Sequence, residues 1–165
     1  MSVKFSIEIQ GKAEFDRAFN RVSSEIEDFT AAWQEIRAWL KRRLKHQFDT
    51  EGANNKWQAL SPKYAAAKEI EYPGAKILQR TGLLKESLTD GNSNTIDRIT
   101  KSSLDYGTDL PYAKYHQDGA EDGAGNLPQR KIYDFDEQDK TDLTKTVQRE
   151  LVKIVRAQGF ESFEF

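Results

Sequence analysis

Residues 30–48 read TAAWQEIRAWLKRRLKHQF and carry the clearest helical pattern in the chain. Apolar side chains recur there at the spacing of one helix face, at Trp33, Ile36, Leu40, Leu44 and Phe48. Thr30 stands at the start of the pattern and is a residue type that caps helices. The stretch therefore predicts a helix from about Thr30 to Phe48, with its apolar stripe forming one wall of the core.

The segment in front of this helix changes its period. Apolar residues first alternate with polar ones, at Val3, Phe5, Ile7 and Ile9. That alternation predicts a strand with one wet face, ended by Gly11. From Ala13 onward the apolar residues fall at helical spacing, at Phe15, Ala18, Phe19, Val22 and Ile26. Residues 28–31 leave open whether this helix continues into the next one.

Turn-forming residues divide the centre of the chain into short elements. Ser61-Pro62 combines an N-cap residue with proline at the first helical position, which predicts a helix over Lys63–Ile70. Pro73-Gly74 then breaks the chain. Thr81 is predicted to cap a second short helix that ends at Leu88. The apolar face of that helix would be Leu83, Leu84 and Leu88.

Two short runs after this helix predict a β-hairpin. They are Thr95–Thr100 and Leu104–Thr108, joined near Lys101-Ser102-Ser103. Either Ile96 and Ile99 or Leu104 and Tyr106 face inward. The pattern alone does not choose between the two faces.

The last third of the chain reads as a loop, a strand and a helix. Tyr112–Gln117 predicts a short helical turn, and the glycine-rich residues 119–129 predict a flexible loop. Lys131–Phe135 alternates and predicts a last strand. The closing helix is predicted over Asp139–Arg156, with its stripe at Leu143, Val147, Leu151, Ile154 and Val155.

These elements predict one α+β domain over residues 1–158. Its small, mainly antiparallel sheet packs against long helices on one face, with extended loops between them. Residues 159–165 read GFESFEF and predict a C-terminal arm that starts at a glycine helix stop. The arm's Phe160, Phe163 and Phe165 need to be buried, either on a partner or on the chain's own core.

Composition limits the class of protein. The chain has 165 residues, of which 37% are hydrophobic and 32% charged, with a net charge of -2 and no cysteine. No overall charge attracts it to nucleic acid or anionic membranes, and disulfides and thiolate metal sites are excluded. Without a signal-peptide core or an apolar run of ~20 residues, we expect a soluble cytoplasmic product. A polar chain with 11% aromatic residues suits a subunit that completes its burial against neighbours.

Four short segments carry a family resemblance in the same order along the chain. They are Trp57-Gln58-Ala59-Leu60-Ser61-Pro62, Ile77–Ser87 with Leu78-Gln79-Arg80-Thr81-Gly82-Leu83, Pro111–Gly119 with Tyr112-Ala113-Lys114-Tyr115-His116, and Pro128-Gln129-Arg130. Over about residues 45–155 the chain resembles the phage virion morphogenesis family, the Mu-type and P2-type tail-completion proteins that act where head meets tail. The turn Gly52–Lys56 before Trp57 is longer than the family's usual spacing.

The resemblance implies a structural subunit of a tailed-phage neck, not an enzyme. Such a subunit would form a homo-oligomeric ring, sixfold or a multiple, that completes or terminates the tail and joins it to the head. Its partners would be neighbouring neck and tail-tube proteins, with transient contact to DNA in the lumen and none to membrane. It would belong to the virion and assemble in the host cytoplasm. The interface candidates are Trp57, Leu60, Tyr112, Tyr115, His116, Arg130, Phe160, Phe163 and Phe165.

Two alternatives from other classes remain at this point. A small hydrolase could use His116 as a general base with a nearby carboxylate such as Asp118. A DNA-binding accessory factor could use the basic cluster, which we define as Lys41, Arg42, Arg43, Lys45 and His46. The acidic run Asp134, Asp136, Glu137, Asp139 and Asp142 lacks the glycine and closing glutamate of a calcium loop and is expected to cap the last helix and face water. No catalytic, cofactor or metal residue is therefore assigned.

Overall fold

Helix α1, Thr30–Asp49, is the element against which most of the others pack. The computed structural model describes residues 3–6, 28–120 and 127–157. Within those residues the chain forms three strands and four further helices. In chain order the elements are β1 Val3–Ser6, α1, α2 Pro62–Glu71, α3 Leu83–Thr89, β2 Thr95–Ile99, β3 Leu104–Thr108, α4 Ala113–Asp118 and α5 Glu137–Ala157. The predicted α+β class is confirmed.

The sheet is antiparallel in the order β1-β3-β2, so the predicted hairpin is confirmed. Its buried face carries Leu104 and Tyr106, and Ile99, which stands opposite Leu104, packs against the same core, so members of both predicted pairs face inward. The Tyr106 hydroxyl donates to the Leu88 carbonyl of α3 at 2.7 Å. Asp97 stands opposite Tyr106 and pairs with Arg37 of α1 at 3.4 Å. Both helices therefore contact the same face of the sheet.

The stripe predicted for α1 forms the centre of the core. Ile36, Leu40 and Phe48 are fully buried and Leu44 is 1% exposed, while Trp33 packs against them at the edge. These side chains meet residues from α3, β3 and α5 in one cluster. The long helix can present a continuous apolar stripe because its apolar residues keep the 3.6-residue period over five turns.

The start of α1 differs from the prediction. Thr30 is the first helical residue rather than the cap, and Phe29 occupies the cap position without a side-chain hydrogen bond. The Asp28 carboxylate instead accepts the Thr30 N–H at 2.9 Å. The Phe29 N–H donates to the Lys101 carbonyl, which ties the helix start to the β2–β3 turn. Residues 28 and 29 are not helical. The described residues do not include Ile7 and Ile9 of the predicted strand or the helix expected over 13–26.

Helix α5 begins in a reciprocal cap. The Asp136 carboxylate accepts the Asp139 N–H at 2.8 Å, and the Asp139 carboxylate accepts the Asp136 N–H at 3.2 Å. The expected capping role is confirmed for these two acids, but Asp139 does not face water. It pairs with Arg43 of α1 at 2.6 Å, and its side chain is only 13% exposed. Val147 and Leu151 bury the other side of α5 against the core.

The strand predicted over Lys131–Phe135 is wrong. This segment is irregular, and side chains from other elements take the hydrogen bonds that a strand partner would make. The Gln117 Oε1 atom accepts the N–H groups of Ile132 and Tyr133 at 2.8 and 2.9 Å. The Lys131 carbonyl accepts from the Gln47 carboxamide at 2.8 Å. Ile132 is 1% exposed. The alternating pattern therefore predicted the burial of this residue correctly, but it did not predict the backbone conformation.

The two short helices have different N-termini. Ser61 caps α2 as predicted, accepting the Tyr64 N–H at 3.4 Å, with Pro62 at the first helical position. The prediction that Thr81 caps α3 is wrong, because Gly82 holds that position at a φ of +79° with no side-chain cap. Leu84 is buried on α3 as expected. Leu83 is 43% exposed and points away from the core.

We expect Gly52→Ala to lower the free energy of unfolding by about 2–4 kcal/mol. Gly52 has a φ of +98°, and a Cβ there would collide with the Asn55 carbonyl oxygen. The matched control is Gly74→Ala, with a φ of +71° and no atom within 4 Å of the added Cβ. Its cost should be limited to about 1–2 kcal/mol for the left-handed backbone. Equal losses in urea unfolding would contradict the collision.

The Arg43–Asp139 pair predicts a specific acid sensitivity. Burial raises the pKa of Asp139, but hydrogen bonds from Arg43 and Asn54 outweigh it, so the pKa lies below the ordinary value. A depressed folded-state pKa contributes stability that is present above the unfolded value of ~3.9 and is lost as pH falls through the folded value. Asp139→Asn should therefore be less stable at pH 7 and lose less stability on acidification. Asp142→Asn, exposed on the same helix, should retain the acid loss of the original protein in thermal unfolding across pH.

Candidate functional site

The segments that carry the family resemblance converge on one cleft of about 890 Å³. Its walls come from residues 58–61, helix α2, the stretch between Leu78 and Leu84, the start of α4 and residues 127–130. These segments are up to about seventy residues apart in sequence, as the Arg130 to Gln58 hydrogen bond illustrates. We call this feature the cleft throughout.

The cleft exposes large apolar side chains. Five such side chains are exposed among the described residues, and three of them line the cleft. These are Tyr64, Leu83 and Tyr112, with exposed fractions of 46%, 43% and 38%. The cleft therefore combines concave shape with three partly exposed apolar side chains.

Three cations also line the cleft, and two of them are held by neutral groups. Arg130 is 5% exposed; its Nε donates to the Gln58 carbonyl at 2.9 Å and its Nη2 to the Ala59 carbonyl at 3.4 Å. Lys68 is 6% exposed, and its Nζ donates to the carbonyls of Ala75 and Lys76, both at 2.6 Å. Carbonyl oxygens satisfy the donors without cancelling the charge.

The electrostatics of the cleft are therefore positive. Burial lowers the pKa of both Lys68 and Arg130. Glu51 and Glu69 lie near enough to Lys68 to oppose that lowering, but neither lines the cleft. The third cation is the exposed Arg80, whose guanidinium stacks 5.4 Å from the Tyr72 ring centroid. None of the described residues that line the cleft carries a carboxylate.

His116 projects into the cleft from α4 in an arrangement unlike a catalytic base. Its Nδ1 is buried and finds no hydrogen-bond partner among the described residues. Burial lowers the pKa of His116, and the positive charge of Arg130 lowers it further, so the neutral imidazole is favoured. A general base of this type needs an acceptor that orients Nδ1, and Asp118 is exposed instead. The geometry gives the hydrolase alternative no support.

Trp57 is buried in the core directly before residues 58–61, which form one wall of the cleft. It is 7% exposed, and its ring meets Phe48 edge to face at 5.4 Å. Its Nε1 donates to the Lys131 carbonyl at 2.9 Å, which joins the two walls formed by residues 58–61 and 127–130. The long turn before it is closed by the Gly52 N–H bond to the Gln47 carbonyl and by the Trp57 N–H bond to the Glu51 carbonyl.

The structure separates the residues proposed from sequence into three groups. Leu60, Tyr112, His116 and Arg130 line the cleft. Trp57 lies beneath it, and Tyr115 is 52% exposed on α4 outside the cleft lining. Phe160, Phe163 and Phe165 lie outside the described residues.

Sequence reasoning did not select four residues that shape the cleft. They are Tyr64, Lys68, Arg80 and Leu83. Tyr64 and Lys68 stand four positions apart on a predicted helix, so a shared face could have been inferred. Nothing local indicated that this face of α2 would meet the loop that carries Arg80.

Three of the five residues of the basic cluster on α1 contact carboxylates of the chain itself. Arg43 pairs with Asp139, Lys41 lies 3.9 Å from Asp97, and Lys45 lies 3.7 Å from Asp49 one turn later. Two of these three contacts reach other elements and so help to hold α1 in place. This use of the charges weakens the DNA-binding alternative, because a phosphate surface needs cations that are free to pair with it.

The described residues offer neither a metal-binding cluster nor a membrane-spanning helix. No group of three or more histidine, aspartate or glutamate side chains within them is arranged to hold a metal ion. None of the helices in this part of the chain combines the length and apolarity needed to cross a membrane.

We expect Trp57→Ala to lower the free energy of unfolding by about 3–5 kcal/mol, because the change removes a large side chain from the core. Trp57→Phe keeps a ring against Phe48 but loses the hydrogen bond to the Lys131 carbonyl, so its cost should be smaller. Chemical unfolding of the monomer measures both. An unchanged monomer stability in Trp57→Ala would show that the anchor is not part of the subunit's own core.

The range of the chain that matches a known family contains the segments that build the cleft. No curated protein and no solved structure matches the chain significantly. Residues 11–152 of the 165 match the phage virion morphogenesis family. This range includes every described residue that lines the cleft and most of the described core. The chain therefore belongs to the phage virion morphogenesis family.

Proposed function

We propose that this protein is a structural subunit of the phage neck. In this proposal, copies of the chain form a closed ring, sixfold or a multiple, that completes or terminates the tail and joins it to the head. Neighbouring neck and tail-tube proteins contact the ring, and DNA passes through its lumen. The protein acts by assembly, in the host cytoplasm and then in the virion, and not by catalysis.

The observation that carries the proposal is the cleft. The segments typical of the family meet there and leave Tyr64, Leu83 and Tyr112 exposed beside cations that carbonyl oxygens hold. An isolated subunit gains nothing from such a surface, since the exposed apolar area is unfavourable in water. A neighbouring subunit that fills the cleft would gain on the order of 1.5–3 kcal/mol for each large apolar side chain it removes from water.

The same surface is compatible with a ring. A cleft that is filled by a different, complementary surface of the next subunit can form a heterologous contact. Repeated heterologous contacts close into a ring when the rotation between subunits divides a full turn. Rings of this kind suit the junction between a tail tube and a head, where a symmetric collar must form around a channel.

The first test is a change on the rim of the cleft. Leu83→Asp puts a charge where the proposal requires apolar burial, and an acid in the first turn of α3 is compatible with the helix dipole. We expect a folded protein that no longer supports joined heads and tails when it replaces the original subunit in a phage lysate. Electron micrographs of the particles provide the count.

The control for that test is Ile70→Asp on α2. Ile70 is 85% exposed and does not line the cleft, so the same substitution should leave the yield of joined particles unchanged. Thermal unfolding of both variants verifies that they fold. Normal joining with Leu83→Asp, or a map of the particle in which the neck lacks this subunit, would refute the proposal.

A further inference from the structure

The cleft specifies the chemistry of what fills it. Its exposed apolar side chains favour large apolar partners, and its exposed cation Arg80 favours a carboxylate, which none of the described lining residues provides. Arg80 is the exposed cation of the three, so its guanidinium is the group able to form a two-point pair with a carboxylate. The buried side chains of Lys68 and Arg130 add positive electrostatic potential to the cleft. The occupant is therefore expected to be an acidic segment rich in aromatic residues.

Residues 159–165 have this chemistry, whereas the aromatic and acidic residues 132–137 already pack Tyr133 and Phe135 against the core. Residues 159–165 read GFESFEF, which combines three phenylalanines with two glutamates and has no cation. On the basis of the proposed ring, we propose that residues 159–165 of one subunit dock into the cleft of the adjacent subunit. The phenylalanines cover Tyr64, Leu83 and Tyr112, and Glu161 or Glu164 pairs with Arg80.

The course of α5 separates the arm from its own subunit's cleft. The helix begins where Asp139 meets Arg43, near the C-terminal end of α1. Only six residues of α1 follow Arg43, so Val147 and Leu151 reach the core around α1 only if α5 runs back along it. Over its 21 residues α5 covers about 30 Å at ~1.5 Å per residue. Helix α5 therefore ends near the N-terminal end of α1.

The cleft lies at the opposite end. The Gln79 side chain donates to the Phe48 carbonyl at 2.8 Å, and the Lys76 Nζ donates to the Asp49 carbonyl at 2.7 Å, which places this wall at the C-terminal end of α1. Phe160 stands three residues beyond Ala157 and reaches about 10 Å even when the chain is extended. Phe165, eight residues beyond, reaches about 28 Å. Most of the arm therefore cannot return to its own cleft, whereas the cleft of a neighbour sets no such limit.

The acidic segment 121–126 lacks the apolar part of this chemistry. Residues 121–126 follow the bridge between Ala120 and Leu127 and include Glu121 and Asp122. Their remaining residues are glycine, alanine and asparagine. No side chain in that sequence is large enough to replace an aromatic ring, so the arm remains the better match.

Cysteine pairs test the contact directly, since the chain has no cysteine of its own. One batch of full-length protein carries Leu83→Cys and a second carries Phe163→Cys. The two are mixed, assembled and oxidised, and we expect a disulfide-linked heterodimer on a non-reducing gel. Ile70→Cys mixed with Phe163→Cys is the control and should give no such band above background, because Ile70 lies outside the cleft.

Two results would overturn the inference. The first is a heterodimer yield with Leu83→Cys no higher than with Ile70→Cys. The second is a subunit carrying both Leu83→Cys and Phe163→Cys that forms only an internal disulfide and remains a monomer, which would place the arm in its own cleft. A ladder of linked subunits from that double variant supports the docking.

A truncation separates this inference from the proposed function. A protein that stops after Gln158 should keep its circular dichroism spectrum and lose its place in the particle. If the truncated subunit still forms its ring and joins heads to tails normally, the docking is wrong while the neck function stands. If the full-length subunit is not found at the neck at all, the proposed function is wrong whatever the gel shows.

Discussion

The cleft depends on two hydrogen bonds made by the side chain of Gln47. Gln47 is 1% exposed near the end of α1, where its Nε2 donates to the Lys131 carbonyl at 2.8 Å and its Oε1 accepts the Ala53 N–H at 2.9 Å. One carboxamide thus joins the central helix to two irregular segments that enclose the cleft. A buried amide can do this because it offers a donor and an acceptor on one rigid plane, and leaving either unpaired would be unfavourable.

Similar side-chain bonds replace regular secondary structure throughout this end of the molecule. Gln117 receives two N–H groups of residues 131–135, and Arg130 and Lys68 donate to carbonyls of loops. A loop held at several points by buried side chains is positioned as firmly as a strand, but its shape is free of the strand's geometry. In this chain the concave surface of the cleft is built from such segments, which are distant in sequence.

The chain uses its positive charges in two ways. On α1 they pair with carboxylates of other elements, as Arg43 does with Asp139, and so hold the fold together. At the cleft, Lys68 and Arg130 donate to carbonyl oxygens instead. A dense run of cations is the more conspicuous signal in the sequence, yet the cleft cation that a partner can reach is the isolated, exposed Arg80. The two sets of cations differ because carboxylates face the cations of α1, whereas carbonyl oxygens face Lys68 and Arg130.

The sequence by itself determined the features that depend on local periodicity and on short motifs. The stripe of α1, the capped start of α2 at Ser61-Pro62, the hairpin and α5 all follow from spacing that a single element displays. The ordered motifs also led to the family, which the match over residues 11–152 establishes. What the tertiary structure alone decided were the cap of α1, the start of α3 at Leu83, the irregular path of residues 131–135 and the union of Lys68, Arg80 and Arg130 in one cleft. Each of these rests on hydrogen bonds, backbone angles or contacts that residue spacing does not encode, because they arise only when distant segments are packed together.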